Sequence, residues 1–248
     1  MTDLALDGLR EESDGDRGLR SFPSGGLAVV IGASGGIGAA LVDALAGVPA
    51  FSAVIGLSRP TLELRDESTV AASAALLAVQ GTPRLIIDAT GVLHAGAMQP
   101  EKSWRQLDPV QLAEAFAINA IGPALLMKHF LPMLPVDGKS VFATLSARVG
   151  SIGDNRLGGW YGYRASKAAL NQFVRTAAVE LHRRQREAVC VALHPGTVET
   201  RLSSRFGKHG LEVQTPAVAA ARMLRVIDRL RSTDSGSFLD QHGQSVPW

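Results

Sequence analysis

The sequence predicts one α/β domain in which a doubly wound parallel sheet carries helices on both faces. From Leu27 onward, short runs that are apolar at almost every position alternate with longer helical segments. Continuous apolar strands separated by helices are typical of a parallel sheet that is covered on both sides. A length of 248 residues and a hydrophobic content of 46% suit one large domain. The aromatic content of only 5% favours close packing of helices on a sheet over a β-sandwich.

The boundaries of the predicted elements give their order. Strands are predicted at 27–32, 51–58, 84–90, 139–146, 188–196 and 236–240. Helices are predicted at 36–47, 67–81, 110–134, 162–185 and 215–231. Gly47 and Gly81 end the first two helices, and Asp108 caps the third, with Pro109 in its first turn. Because crossovers between parallel strands are right-handed, this alternation predicts a doubly wound, single-domain sheet.

The first 26 residues differ from the rest of the chain. They are acidic and glycine-rich and contain no apolar core of a signal peptide. We therefore predict a flexible N-terminal extension at residues 1–26 and the folded domain at residues 27–248. A regulatory or assembly role for the extension is the alternative.

Composition excludes several classes of partner. The net charge of +2 is too small to indicate binding to nucleic acid or to an anionic membrane. No apolar stretch is expected to reach the ~18 residues that a membrane helix needs, so we predict a cytoplasmic protein. The single cysteine, Cys190, lies in an apolar run, which favours a buried, inert thiol over a catalytic one. No metal site is predicted.

A glycine-rich loop, GASGGIG, follows the first predicted strand and opens the first helix. Glycines at such a turn let backbone N–H groups approach a pyrophosphate, and the helix N-terminus adds partial positive charge. This position predicts a Rossmann fold that binds a dinucleotide. A glycine turn that only packs the helix on the strand is the alternative. The loop residues assigned to the cofactor are Gly32, Ser34, Gly36, Ile37 and Gly38.

The end of the second strand bears on the choice between NADP(H) and NAD(H). No carboxylate is present there to bind a ribose 2′-hydroxyl, and Ser58 and Arg59 stand in its place. A guanidinium is planar, permanently charged and multidentate, which suits a 2′-phosphate. We therefore prefer NADP(H) and leave NAD(H) open, with an ordinary surface arginine as the alternative.

Tyr163 and Lys167 lie four residues apart in the fourth predicted helix, so their side chains share one face. A nearby ammonium favours the phenolate and lowers the pKa of a phenol, which predicts an acid–base group. Tyr161 lacks such a partner, because Ala165 occupies the matching position. The alternative is a tyrosine that only packs at the start of a helix.

Asn119 lies inside the third helix, four residues before Pro123. Because proline has no N–H, the helical hydrogen bond to the Asn119 carbonyl is absent, and that oxygen is left for another partner. A simple proline kink is the alternative. Ser146 ends the fourth strand, so it faces the crevice beyond the carboxyl ends of the strands.

These motifs resemble the short-chain dehydrogenase/reductase family over nearly all of residues 27–248. The family fingerprint is T-G-x-x-x-G-x-G, with Ile31 here in place of the threonine; DATG resembles its N-A-A-G, and PGTVET its P-G-x-V-x-T. The stretch from Ser146 to Asn171 and the C-terminal sequence resemble the C-factor and sniffer-type carbonyl reductase branch. The resemblance implies a homodimer or homotetramer. It also implies further cofactor contacts at Glu63, Leu64, Ala89, Thr90, Gly91, Pro195, Gly196, Val198 and Thr200.

The resemblance also implies roles for the catalytic candidates. Tyr163 is the acid/base, and Lys167 lowers its pKa and holds the nicotinamide ribose. The Asn119 carbonyl holds a water in a proton relay, and Ser146 orients the substrate oxygen, with Ser151 as the rival serine. The expected function is NADP(H)-dependent hydride transfer between the nicotinamide and a small carbonyl or alcohol substrate, with residues 201–213 forming part of its pocket. The alternatives are a non-catalytic dinucleotide sensor or signalling protein, and an epimerase or dehydratase.

Overall fold

The computed structural model describes residues 19–96, 98–200 and 212–248. Six parallel strands form the main sheet: β1 (Gly26–Ile31), β2 (Phe51–Leu57), β3 (Pro83–Asp88), β4 (Ser140–Leu145), β5 (Ala188–His194) and β8 (Phe238–Asp240). β6 (Thr197–Val198) and β7 (Val213–Gln214) form a separate parallel pair. The helices are α1 (Gly36–Leu45), α2 (Glu67–Ala78), α3 (Pro109–Phe116), α4 (Gly122–Phe130), α5 (Tyr161–His182) and α6 (Pro216–Arg229).

The strand order in the main sheet is β2-β1-β3-β4-β5-β8. The chain passes from β1 to β2 on one side and then crosses to β3 on the other, so Ile31 pairs with both Leu57 and Asp88. In such sheets the connections leave these strand ends in opposite directions, which opens a crevice at the reversal point. The doubly wound fold predicted from the sequence is confirmed, with all six strands near their predicted positions.

Two apolar layers enclose the sheet. Alternate strand residues face opposite sides: Val30 lies in the layer shared with α1 and α6, whereas Val29 lies in the layer shared with α2, α4 and α5. Both side chains are fully buried. This double coverage explains why the strands are apolar at successive positions instead of alternating.

The predicted third helix is interrupted at its centre. Asp108 caps α3 by accepting hydrogen bonds from the backbone N–H groups of Val110 and Gln111, as the sequence predicts. A π-helical segment, Ala117–Ile121, then joins α3 to α4, and the N–H of Gly122 donates to the carbonyl of Ala117, five residues earlier. The interruption places Asn119 in a widened turn next to Pro123, which fits the missing proline N–H.

The N-terminal boundary lies earlier than predicted. Leu19 and Phe22 are buried in the layer formed with α1 and α6. Ser21 donates to the carboxylate of Asp228, and the Lys139 ammonium donates to the Ser21 hydroxyl at 2.8 Å. Residues 19–26 are therefore packed on the domain, which corrects the predicted flexible segment at that end. Residues 1–18 lie outside the described part of the chain.

One helical run is longer and more apolar than the sequence analysis allowed. Residues Pro109–Met133 include an 18-residue window of mean hydropathy 1.4, enough by length and composition alone to cross a membrane. This corrects the expectation that no such stretch exists. The run is also the helix that packs on α5 and buries the polar Asn119. Core helices of α/β domains meet the same criterion, so the finding is weak support for a membrane span.

Candidate active site

The glycine loop forms a cradle at the carboxyl end of β1. Gly32 has a φ of +84°, which favours glycine, and its N–H donates to the Leu57 carbonyl at 2.8 Å. A Cβ on Gly38 would lie 2.1 Å from the Gly32 carbonyl oxygen. The backbone of α1 therefore packs directly on the backbone of the glycine loop, with no room for a side chain. No side chain caps α1 at Gly35, which leaves the N–H groups of its first turn available to a ligand. This cradle fits a dinucleotide pyrophosphate.

The other predicted loop residues surround this cradle. Ser34 is exposed, and Ile37 packs against the apolar layer below. A Cβ on Gly36 would lie 3.0 Å from Cγ2 of Thr200, so the predicted threonine lies beside the start of α1. The structure thus brings the loop and Thr200 together although they are far apart in sequence.

At the end of β3, a buried carboxylate organises the turn into the crevice. Asp88 is fully buried and accepts hydrogen bonds from the Thr90 N–H at 3.0 Å and from the Thr90 and Thr144 hydroxyls at 2.5 and 2.6 Å. Three donors satisfy the acceptor-only carboxylate, so aspartate serves where the resembled motif has asparagine. The Ala89 N–H donates to the Ile31 carbonyl, which holds the predicted cofactor segment against β1.

Asn119 is fully buried, and its side-chain amide makes hydrogen bonds to two other segments of the chain. The amide oxygen accepts from the Val92 N–H, and the amide nitrogen donates to the Val92 carbonyl, both at 2.8 Å. The same nitrogen donates to the Ser166 hydroxyl at 3.2 Å. Asn119 therefore ties the loop after β3 to α5. The predicted role of its backbone carbonyl in a proton relay stays a prediction.

Tyr163 and Lys167 lie on the first turns of α5, with Lys167 buried. The Lys167 ammonium donates to the Leu145 carbonyl at 2.7 Å. A Cβ on Gly91 would lie 3.5 Å from both that ammonium and the Asn119 amide oxygen, so the three residues meet at one place. Burial lowers the pKa of Lys167 to about 8, and the charge of Asp88 opposes that shift.

The pKa of Tyr163 differs in direction from the expectation. Burial raises it to about 12, and no lowering by Lys167 is found. The physical reason is that the ammonium is directed at the Leu145 carbonyl while the phenol is desolvated. In this geometry Tyr163 is a protonated donor at neutral pH.

The two candidate serines are both buried, and no hydrogen bond joins either hydroxyl to Tyr163 among the described residues. Ser146 donates its hydroxyl proton to the Asn171 amide oxygen at 2.6 Å. Ser151 accepts from the Asp154 N–H at 3.1 Å. Asn171 was missed in the sequence, although a polar residue four positions after Lys167, on the same helix face, is a usable signal. The catalytic role of Ser146 stays a prediction.

Arg164 is a second residue that sequence reasoning missed. Its guanidinium donates to the backbone carbonyls of Gly159, Val149 and Gly158 at 2.9, 3.2 and 3.2 Å. These carbonyls belong to the loop between Ser146 and Tyr163. The residue after the acid/base candidate therefore holds the loop that separates it from the serine.

The predicted adenine end lies at the carboxyl end of β2. The Arg59 side chain is exposed beside Ser58, and its charge reaches Glu63, where it adds a small part to the lowered pKa of that carboxyl. The main cause of that lowering is the hydrogen bond from Arg65. Leu64 is buried against Gly122.

The turn after β5 completes the predicted cofactor set. Gly196 has a φ of +79°, which favours glycine after Pro195. The side-chain amide of Gln214 donates to the Pro195 carbonyl at 2.5 Å, so β7 braces this turn. Val198 is buried in β6. Of the predicted pocket segment 201–213, residues 201–211 lie outside the described part of the chain.

The burial of His194, the last residue of β5, predicts that the folded protein loses stability in acid. It pairs in register with Asp240, and its buried Nδ1 has no hydrogen-bond partner in the described part of the chain. Burial lowers its pKa to about 4, Arg148 adds to this, and Asp240 opposes it. The unfolded histidine, with a pKa near 6.5, takes up a proton first, so stability falls as pH drops from about 6.5 to 4. We expect a loss of about 2–3 kcal/mol between pH 7.5 and 4.5.

Urea denaturation at both pH values measures this loss. His194→Gln is expected to flatten the dependence, whereas His182→Gln, at an exposed position of α5, keeps the wild-type slope. Equal slopes in wild type and His194→Gln would contradict the assignment.

Comparison with known proteins agrees with this geometry. A family model described as enoyl-(acyl carrier protein) reductase matches residues 62–230. The "C-signal" of Myxococcus xanthus is 41% identical over 143 residues, which are 57% of this chain and 81% of that protein. The 1-hydroxy-2-glutathionyl-2-methyl-3-butene dehydrogenase of Rhodococcus sp. strain AD45 is 34% identical over 191 residues, which are 76% and 79% of the two chains.

Solved structures show the same fold. The NADPH-bound carbonyl reductase from chicken fatty liver superposes with a TM-score of 0.77 at 25% identity, covering 94% of this chain and 98% of that one. The carbonyl reductase Sniffer of D. melanogaster has a TM-score of 0.75 at 22% identity, with 91% and 100% covered. The predicted carbonyl reductase-like resemblance is thereby confirmed, and the chain belongs to the short-chain dehydrogenase/reductase family of oxidoreductases, which use a nicotinamide dinucleotide.

Proposed function

We propose that the protein is an NADP(H)-dependent carbonyl reductase that acts reversibly on small alcohols. The observation that carries the proposal is the meeting of Lys167, Gly91 and Asn119 next to the glycine cradle, with Tyr163 one helical turn before Lys167 on α5. A dinucleotide held by that cradle would extend from the end of β1 toward these residues. The NADPH-bound chicken reductase supports the choice of cofactor and reaction class.

The residues of this chain divide the chemistry among them. When bound, the reduced nicotinamide supplies a hydride to the carbonyl carbon. Tyr163 donates its phenolic proton to the carbonyl oxygen, and its pKa of about 12 keeps that proton in place at neutral pH. Lys167 offers its ammonium to the cofactor ribose, and Asn119 holds the loop that contains Gly91. Ser146 orients the substrate oxygen once its hydroxyl rotates away from Asn171.

A panel of aldehydes and ketones with NADPH and NADH tests the proposal by the loss of absorbance of the reduced cofactor. Turnover of at least one carbonyl supports it. The rival is a non-catalytic dinucleotide sensor, which agrees with a Ser146 hydroxyl that is bonded to Asn171. Tight cofactor binding without turnover on the whole panel would establish that rival instead.

Arg59→Ala tests the cofactor preference. Loss of an exposed guanidinium that pairs with the 2′-phosphate is expected to raise the Kd of NADPH about 10- to 100-fold and leave the Kd of NADH nearly unchanged. Fluorescence titration of both reduced cofactors measures this. Arg65→Ala is the control, because Arg65 is also exposed nearby but pairs with Glu63 and Glu114. Equal losses for both cofactors in Arg59→Ala would refute the preference.

We also propose a cytoplasmic homodimer or homotetramer. The long helices present exposed apolar side chains, with Val110 75% and Ile121 51% exposed, and Phe173 and Val179 also exposed on α5. Burial of such side chains between copies is favourable.

A further inference from the structure

The start of α5 lacks the capping that a helix of its length usually has. Its N-cap residue, Trp160, is in the left-handed region with φ 53° and ψ 43°, and its side chain makes no capping hydrogen bond. The first N–H groups of a helix have no partner within the helix and need acceptors from elsewhere. Tyr163 lies in this first turn, so whatever holds the turn also places the phenol.

Glu101 supplies the missing acceptor from a distant part of the chain. Its carboxylate accepts from the Gly162 N–H at 3.1 Å, and its backbone carbonyl accepts from the Trp160 N–H at 2.5 Å. The residue is only 6% exposed. Buried carboxylates are rare without a charge partner, and here the positive end of α5 provides a favourable field.

Gly162 is what allows this close approach. A Cβ there would lie 3.0 Å from Oε1 of Glu101 and 3.2 Å from Cδ2 of Leu112 in α3. The first turn of α5 is therefore enclosed between the Glu101 carboxylate and α3. Trp160, held by the Glu101 carbonyl, packs edge-to-face on Tyr163 with ring centroids 6.3 Å apart.

Glu101 also connects the two sides of the crevice. It belongs to the connection that begins at Ala89 after β3 and ends at α3, the same connection that contains Gly91. The helix that it caps carries Tyr163 and Lys167. The Glu101 side chain thus adds a second tie, besides that of Asn119, between this connection and the acid/base helix.

We infer that Glu101 is a positioning residue for the proton transfer by Tyr163, acting through the first turn of α5. This inference rests on the proposed function. Loss of the hydrogen bond from Gly162 to the Glu101 carboxylate lets the first turn of α5 move. A misplacement of about 1 Å can lower a rate about 100-fold. The expected signature is a lower kcat with little change in the KM for NADPH, because the glycine cradle does not depend on Glu101.

Three variants test the inference with the best carbonyl from the panel. Glu101→Ala is expected to lower kcat about 10- to 100-fold and leave the KM for NADPH within about twofold. Glu101→Asp keeps the charge but withdraws the oxygen from Gly162, so it lowers kcat about 10-fold and covers the case in which the alanine variant does not fold. Glu101→Gln keeps an oxygen acceptor for the Gly162 N–H and is expected to restore kcat to within about threefold.

Hydrogen exchange at the amides of the first turn of α5 gives an independent readout, with faster exchange expected in Glu101→Ala and Glu101→Asp. The control is Glu180→Gln, at an exposed position near the other end of α5, which keeps wild-type kcat and exchange. Wild-type turnover with unchanged kcat in both Glu101→Ala and Glu101→Asp would overturn the role of Glu101 alone. A wild-type protein without turnover on any carbonyl would overturn the proposed function, and the positioning role of Glu101 with it.

Discussion

Tyr163→Phe is expected to lower kcat about 10²- to 10⁴-fold while the Kd of NADPH stays within about twofold. The substitution removes one oxygen and its proton and keeps the ring that packs on Trp160 at 6.3 Å. Because the phenol is desolvated and its pKa is raised to about 12, its contribution is the donated proton and not a standing negative charge. Steady-state kinetics with the best carbonyl and fluorescence titration of NADPH separate the two effects.

Tyr161→Phe is the matched control. Tyr161 lies two residues earlier on the same helix, and Ala165 stands where a lysine partner would be needed. We expect its kcat to equal that of wild type within about twofold. Tyr163→Phe with undiminished turnover would remove the phenol from the mechanism, whatever the control shows.

The positions of the strands and of the site residues could be predicted because they depend on local patterns. Apolar runs place β1 and β4, and the spacing of four places Tyr163 and Lys167 on one face of α5. The meeting of Gly91, Asn119 and Lys167 needs more than a local pattern. Gly91 follows β3, whereas Asn119 lies in the π-helical segment and Lys167 lies on α5, which packs on that segment.

The directions of individual side chains could not be predicted in the same way. Ser146 follows directly after β4, next to the expected strand end, yet its hydroxyl is bonded to Asn171, because a rotamer is chosen by the nearest acceptor and not by spacing. In the sequence, Glu101 is indistinguishable from a solvent-exposed carboxylate in a loop. Its contact with Gly162, 61 residues later, exists only after α5 has packed on α3.

The pKa of Tyr163 shows how one wrong expectation bears on mechanism. The spacing of four correctly placed the ammonium on the same helix face, but it gave no information about burial or about the Leu145 carbonyl. Burial raises the pKa of a phenol and lowers that of an ammonium, so the pKa values of Tyr163 and Lys167 differ more than those of the free side chains. The phenol therefore stays protonated at neutral pH, which is the state that the proposed proton donation requires.

Gly38→Ala is expected to abolish cofactor-induced stabilisation. The added Cβ would lie 2.1 Å from the Gly32 carbonyl oxygen and 2.8 Å from its carbonyl carbon, so backbone has to move. Overpacking of this kind lowers the free energy of unfolding by about 1–3 kcal/mol. The displaced loop also carries the N–H groups that we propose bind the pyrophosphate, so we expect at least a roughly 100-fold rise in the Kd of NADPH.

Thermal denaturation with and without NADPH measures both effects, because a ligand that binds only the folded state raises the Tm by an amount that grows with the logarithm of its affinity. The Tm of the wild type is expected to rise with NADPH, and that of Gly38→Ala to stay low and unchanged. Ala39→Ser, at the next and exposed position of α1, is the control and keeps the rise. If Gly38→Ala bound NADPH as tightly as wild type, the pyrophosphate could not lie against this loop, because no ligand keeps its contacts with a backbone that a methyl group has displaced.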